Sequence, residues 1–126
     1  MSFATAINCL DGRVQLPVNG FLQDRFGAAY IDAVTEAGPV GILAREPDSE
    51  VARSIYRRVE ISLNVHHSTG RAIVAHSDCA GNPIADKAQR AELAAVVNLL
   101  KGRYPGTAVI GLWVGEDWSA AEIVNS

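Results

Sequence analysis

The chain has 126 residues, 48% of them apolar and 20% charged, with a net charge of −3. That size allows one domain around a single packed core, so residues 1–126 are read as one unit of ordinary globular composition. There is no Lys/Arg cluster to suggest nucleic acid, no apolar run long enough to cross a membrane, and no leader-like N-terminus.

The apolar run Phe3-Ala4-Thr5-Ala6-Ile7 predicts a first strand over residues 3–8, followed by an Asp11-Gly12 turn. Leu16-Pro17-Val18 reads as extended, Asn19-Gly20 as a turn, and Phe21 to Phe26 as a short helix. Ala28 to Val34 is the second strand, and Val40 to Glu46 is expected to be loop or weak strand. A helix capped by Asp48 or Ser49 should run to about Val65, with Val51, Ile55, Val59 and Ser62/Leu63 on its buried stripe. His66 to Gly70 then forms a loop, and a third strand leads to His76.

A second long helix should begin at Asn82-Pro83, or a turn later with Asp86 as its cap. Leu93, Val96, Val97 and Leu100 form its apolar stripe, and Gly102 suits its C-terminal cap. Thr107 to Val114 is the fourth strand, and Ser119 is expected to cap a last short helix, Ala120 to Val124. Strands alternating with helices predict an α/β domain with a mainly parallel sheet of about four strands.

Both cysteines end apolar runs. Cys9 follows the first strand; His76 and Cys79 sit three apart where the third ends. If those strands are parallel neighbours, the three side chains meet at their carboxyl edge, where open α/β sheets build sites. Two thiolates and an imidazole suit zinc and leave a fourth position open. Asp11 and Arg13 follow Cys9 at alternate positions, so Arg13 can hold Asp11 in a bidentate pair. A carboxylate fixed in this way can accept the hydrogen of a zinc-bound hydroxide and turn its oxygen toward a small carbonyl-like carbon.

Cys-x-Asp-x-Arg followed by His-x-x-Cys resembles the β-class carbonic anhydrases. The resemblance implies zinc on Cys9, His76 and Cys79, and an Asp11–Arg13 dyad serving the bound water. It implies a lyase whose zinc-bound hydroxide attacks carbon dioxide to give bicarbonate, built as a homodimer or higher homo-oligomer with its cleft between subunits. Phe21, Phe26 and Tyr30 are the apolar candidates for the subunit contact. Where the family commonly has Arg-Asn-Ala-Gly, this chain has Thr35-Glu36-Ala37-Gly38.

Other readings stay open. The substrate is either carbon dioxide or a sulfur analogue such as carbonyl sulfide or carbon disulfide, and a non-catalytic zinc-binding or redox-sensing domain is the alternative to an enzyme. Asp11 itself can fill the fourth zinc position and close the site. His66 and His67 are either a solvated loop or a proton relay, and Glu36 either lines the pocket or faces water. Asp78 is expected to cap the turn through backbone amides, Gly81 to supply backbone freedom after Cys79, and Trp113 and Trp118 to be core and interface aromatics. Two cysteines are no disulfide framework, so a reduced, cytoplasmic setting is expected.

Overall fold

β1 (Phe3–Cys9) and β3 (Gly70–His76) form the centre of the sheet in the computed structural model, which describes residues 2–123. β2 (Tyr30–Glu36) lies outside β1, and β4 (Ala108–Val114) lies outside β3. These four strands are parallel, and β5 (Ala120–Glu122) adds an antiparallel edge to β4. The order is β2-β1-β3-β4-β5. The central strands are apolar and buried because helices cover both faces, whereas edge strand β2 is mostly exposed or half-buried.

One face is covered by α1 (Gln15–Phe26), whose Val18 and Leu22, with Val14 before them, pack on Ala6, Ala72, Val74 and Leu112. The other face carries α2 (Pro39–Arg45), α3 (Glu50–Asn64) and α4 (Asp86–Arg103). Ile7, Val34 and Ile73 meet Leu43, Ile55, Val59, Leu93 and Val97 there.

α3 starts as expected, with the Ser49 hydroxyl accepting from the Ala52 N–H at 3.2 Å. Its buried stripe is Ala52, Ile55, Tyr56, Val59 and Ser62; Val51 stands one position off it and is exposed. The expected stripe of α4 is fully buried.

Several local expectations are corrected. Residues 15–26 form one helix: Pro17 falls in its first turn, where its missing N–H would have no intrahelical partner, and burial of Val18 and Leu22 overrides the Asn19-Gly20 signal. Val40 to Glu46 is helical, because Pro39 opens α2 and Val40 and Leu43 turn into the core. α4 begins at Asp86 itself, Asn82-Pro83 precedes it as loop, and Gly102 lies inside the helix; the chain reverses at Gly106, φ +79°.

The expected last helix is strand β5, paired Val114–Ala120 to Leu112–Glu122; three residues gain more from a sheet edge than from a helix nucleus. Val124 of that expectation lies outside the described residues. Among the described residues, no helix is long and apolar enough to cross a membrane.

Candidate functional site

The sheet opens where the site forms. β1 pairs with β2 as far as Cys9–Glu36, and β3 pairs with β4 as far as His76–Val114. Between β1 and β3 the pairing covers only Thr5–Arg71, Ala6–Ala72 and Ile7–Ile73. The two central strands therefore part before they reach Cys9 and His76. Strand order also changes direction between them, which is where open α/β sheets bind ligands.

Cys9, His76 and Cys79 meet in that crevice. All three are buried, and their ligand atoms lie within 4.8 Å of one another, the one such group found among the described residues. The two sulfurs are 3.9 Å apart. His76 Nδ1 donates to the Ser77 carbonyl at 2.7 Å, which leaves Nε2 as the free nitrogen. Nε2 is buried and has no hydrogen-bond partner among the described residues. Two free thiols and an unsatisfied imidazole nitrogen, gathered by rigid strands, fit an ion with three protein ligands and an open position.

Backbone N–H groups surround the sulfurs. Those of Gly38 and Asp11 favour the Cys9 thiolate and that of Gly81 the Cys79 thiolate, while the Asn82 N–H donates to the Cys79 carbonyl at 3.2 Å. Burial pushes the Cys9 thiol up, but the His76 ring and the two N–H groups outweigh it and bring the group down to about 7. Burial, then the charge of Cys9, raises the Cys79 thiol. Burial opposes the His76 cation, yet its contacts with Cys9 and the Ser77 carbonyl raise its pKa.

Asp11 and Arg13 stand beside this group. Asp11 Oδ1 accepts the Arg13 backbone N–H at 2.9 Å and Nε at 3.1 Å, while Oδ2 accepts Nη2 at 2.7 Å. The pair is bidentate, and it also caps the short 3₁₀ turn Gly12–Val14. The Arg13 hydrogen bond, against a smaller effect of burial, holds the Asp11 carboxyl at about 2. Asp11 in turn raises the already high pKa of Arg13. Arg13 also reaches Asp78, Nη1 to Oδ2 at 3.3 Å and Nη2 to the carbonyl at 3.2 Å. The Asp78 carboxylate thus faces Arg13 instead of capping its own turn.

Positioning residues that the sequence reading passed over hold the loops. Gln15 Nε2 donates to the carbonyls of Cys9 (2.7 Å) and Asp11 (2.9 Å), and Gln89 Nε2 to those of His76 (2.9 Å) and Asn82 (3.1 Å). Asn82 is fully buried, donates to Glu92 at 2.9 Å and accepts from Arg45 at 2.7 Å. Gly81 has a reason other than backbone freedom: a Cβ there would stand 2.4 Å from the Ala37 carbonyl carbon. Its φ is not in the left-handed region.

The remaining candidates do not join the ligand group. Glu36 is tied to Arg58 of α3 at 2.7 Å. His66 stacks on Phe3 and pairs with Asp32 at 2.7 Å; it precedes β3 and so sits at the opposite end of the sheet from His76, with His67 next to it. Trp113 is half-buried under Arg90. Trp118 lies near His76, with ring centroids 6.2 Å apart. Phe21 and Phe26 pack within the chain, whereas Tyr30 is exposed.

Residues 1–124 match the family described as "Putative carbonic anhydrase". The chain belongs to this family. Comparison with curated proteins gave no match. Solved structures of similar fold include carbonic anhydrase from Streptococcus mutans, at TM-score 0.64 and 17% identity over 96% of this chain and 81% of that one. The b-carbonic anhydrase CafA of Aspergillus fumigatus matches at TM-score 0.60 and 13% identity, covering 98% and 76%. Carbonic anhydrase from Glaciozyma antarctica matches at TM-score 0.62 and 15% identity, covering 96% and 81%. The family is thus one described as putative carbonic anhydrases, and the α/β fold of the chain is the one these carbonic anhydrase structures share.

Proposed function

We propose that this chain is a zinc-dependent carbonate dehydratase that interconverts carbon dioxide and bicarbonate, with Cys9, His76 and Cys79 as the zinc ligands and Asp11 and Arg13 as the residues that handle the proton. The observation that carries the reading is the juxtaposition at the β1/β3 crevice. A triad of donors with a free His76 Nε2 stands beside a carboxylate held ionised by a bidentate guanidinium. A purely structural ion would need no such neighbour.

When bound, zinc supplies a Lewis acid that lowers the pKa of water at its open position. The chain does the rest. Asp11 stays a carboxylate at neutral pH because Arg13 holds it, so it is an acceptor and not a donor. Each carboxylate oxygen accepts two bonds from Arg13, Oδ1 at 2.9 and 3.1 Å and Oδ2 at 2.7 and 3.3 Å, and the 3.3 Å bond to Oδ2 is the weakest of the four. Oδ2 is therefore the atom assigned to accept the hydrogen of the reacting water and turn its oxygen toward the substrate carbon. His76 keeps one orientation because Nδ1 is committed to the Ser77 carbonyl.

Two further parts belong to the proposal. Edge strand β2 with exposed Tyr30, and exposed Leu10 and Leu16 near the crevice, favour a homodimer or higher homo-oligomer. Two free buried thiols favour a reducing, cytoplasmic setting.

Stopped-flow hydration of carbon dioxide by zinc-loaded and chelated protein tests the reading. Zinc-dependent turnover supports it. Turnover of carbonyl sulfide alone would move the chain to the sulfur analogue, and inactivity on both with zinc bound would leave a non-catalytic site.

A further inference from the structure

Trp118 takes part in neither the ligand set nor the Asp11–Arg13 pair, yet it stands against both. It comes from the turn between β4 and β5, with a left-handed backbone, φ +57°, uncommon for a bulky residue. The turn fixes it there. The Trp118 N–H donates to the Gly115 carbonyl at 3.0 Å, and Asp117 accepts from the Ser119 N–H at 3.2 Å and the Ser119 hydroxyl at 2.8 Å.

The Arg13 guanidinium carbon sits 4.0 Å from the centroid of the Trp118 ring, and the His76 ring lies 6.2 Å away, tilted by 51°. The edges of the guanidinium are taken by Asp11 and Asp78. Its flat face rests on the indole. This matters because the Arg13 side chain is 46% exposed, and an ion pair that open is weakly held by charge alone. An aromatic face adds attraction that does not compete with the edge hydrogen bonds.

We propose that Trp118 is a positioning residue: its indole, delivered by the β4–β5 turn of the same chain, clamps Arg13 so that Asp11 stays turned toward Arg13, and it walls the side of the crevice next to His76. The inference rests on reading Asp11 and Arg13 as the proton-handling pair. It also means that the dyad is braced within one chain, whatever a second copy contributes to the cleft.

The test uses the full-length, zinc-loaded protein and ¹⁵N NMR of the Arg13 Nε–H, assigned by its loss in Arg13→Lys. In the wild type this proton should be shifted upfield by the indole ring and exchange slowly with solvent. Trp118→Leu should abolish the shift and speed exchange by about tenfold, while Trp118→Phe, which keeps a ring, should stay within about threefold. Hydration kinetics should follow: kcat down about tenfold in Trp118→Leu, KM nearly unchanged, and recovery in Trp118→Phe. An Arg13 proton without a ring-current shift in the wild type would overturn the clamp, whether or not the variants fold. Unchanged exchange in a folded Trp118→Leu would also overturn it. A zinc-loaded wild type inactive on carbon dioxide would overturn the functional reading instead, and the NMR would still decide the clamp.

Discussion

Gly81 and Gly38 meet backbone to backbone. A Cβ on Gly81 would lie 2.7 Å from the Gly38 nitrogen, and one on Gly38 would lie 2.7 Å from the Gly81 carbonyl carbon. The contact joins the loop after β2 to the loop after Cys79. Each loop also acts on a site cysteine: the Gly38 N–H favours the Cys9 thiolate and the Gly81 N–H that of Cys79. Ala37-Gly38 therefore has a fixed structural role here, although Thr35-Glu36 departs from the family's usual pair.

Gly81→Ala should accordingly push the two loops apart. The expected cost is about 1–3 kcal/mol of stability, the scale of overpacking in a tight contact, with weaker zinc retention. Denaturant unfolding and competition with a chelator measure the two effects. A variant that keeps wild-type zinc affinity would show that the loops can separate without disturbing the sulfurs.

Asp11→Asn and Arg13→Ala should fail in different ways. Asn keeps the shape but presents a donor where an acceptor is needed, so zinc content should be unchanged and turnover should drop by about 10²-fold or more. Arg13→Ala releases Asp11 from its bidentate partner and frees it to turn toward the metal. Cobalt substitution separates the cases: the visible spectrum should change in Arg13→Ala and not in Asp11→Asn. Full activity in Asp11→Asn with full zinc would remove Asp11 from the mechanism.

Arg71 is a different kind of anomaly. It is fully buried on β3 beneath Tyr104; Nη2 donates to the Ser68 carbonyl and hydroxyl, while Nε and Nη1 have no partner among the described residues. A buried charge without a carboxylate is costly, and burial lowers the pKa of this guanidinium. Arg71→Met should be neutral or stabilising by about 1 kcal/mol or more, whereas Arg71→Ala should destabilise through the cavity it leaves. Thermal unfolding of both variants decides it, and a large loss of stability in Arg71→Met would contradict the reading.

Alkaline stability should depend on Tyr104. Burial, then the neighbouring Glu60 carboxylate, pushes its phenol up to about 12. Between the ordinary value of about 10 and that point, the unfolded chain loses the proton and the folded chain keeps it. The folded state then binds more protons, so stability falls as pH rises, by up to about 1.4 kcal/mol per pH unit, and levels off above about 12. Tyr104→Phe should flatten that part of the pH–stability curve. An identical slope in the variant would assign the decline to other groups.

The sequence made the meeting of Cys9, His76 and Cys79 legible because each ends, or closely follows, an apolar strand, and parallel neighbours bring such ends together. The Asp11–Arg13 pair was equally readable from its spacing. What escaped depends on tertiary contact. Pro17 and Asn19-Gly20 look like a break until Val18 and Leu22 are seen packing on the sheet. Residues 120–122 become a strand only because β4 offers an edge. Gln15 and Gln89 act on backbone carbonyls six and thirteen residues away, a range at which local pattern carries no signal. Gly38 followed by Pro39 was a readable start for α2.

X-ray absorption at the zinc edge, on protein purified under reducing conditions, tests the Cys9–His76–Cys79 site most directly. One zinc per chain is expected, with two sulfur neighbours at about 2.3 Å and nitrogen or oxygen neighbours at about 2.0 Å, and with the loss of one sulfur in Cys79→Ser. A shell of nitrogen and oxygen only, or less than about a tenth of an equivalent of zinc after reduction and reloading, would contradict it.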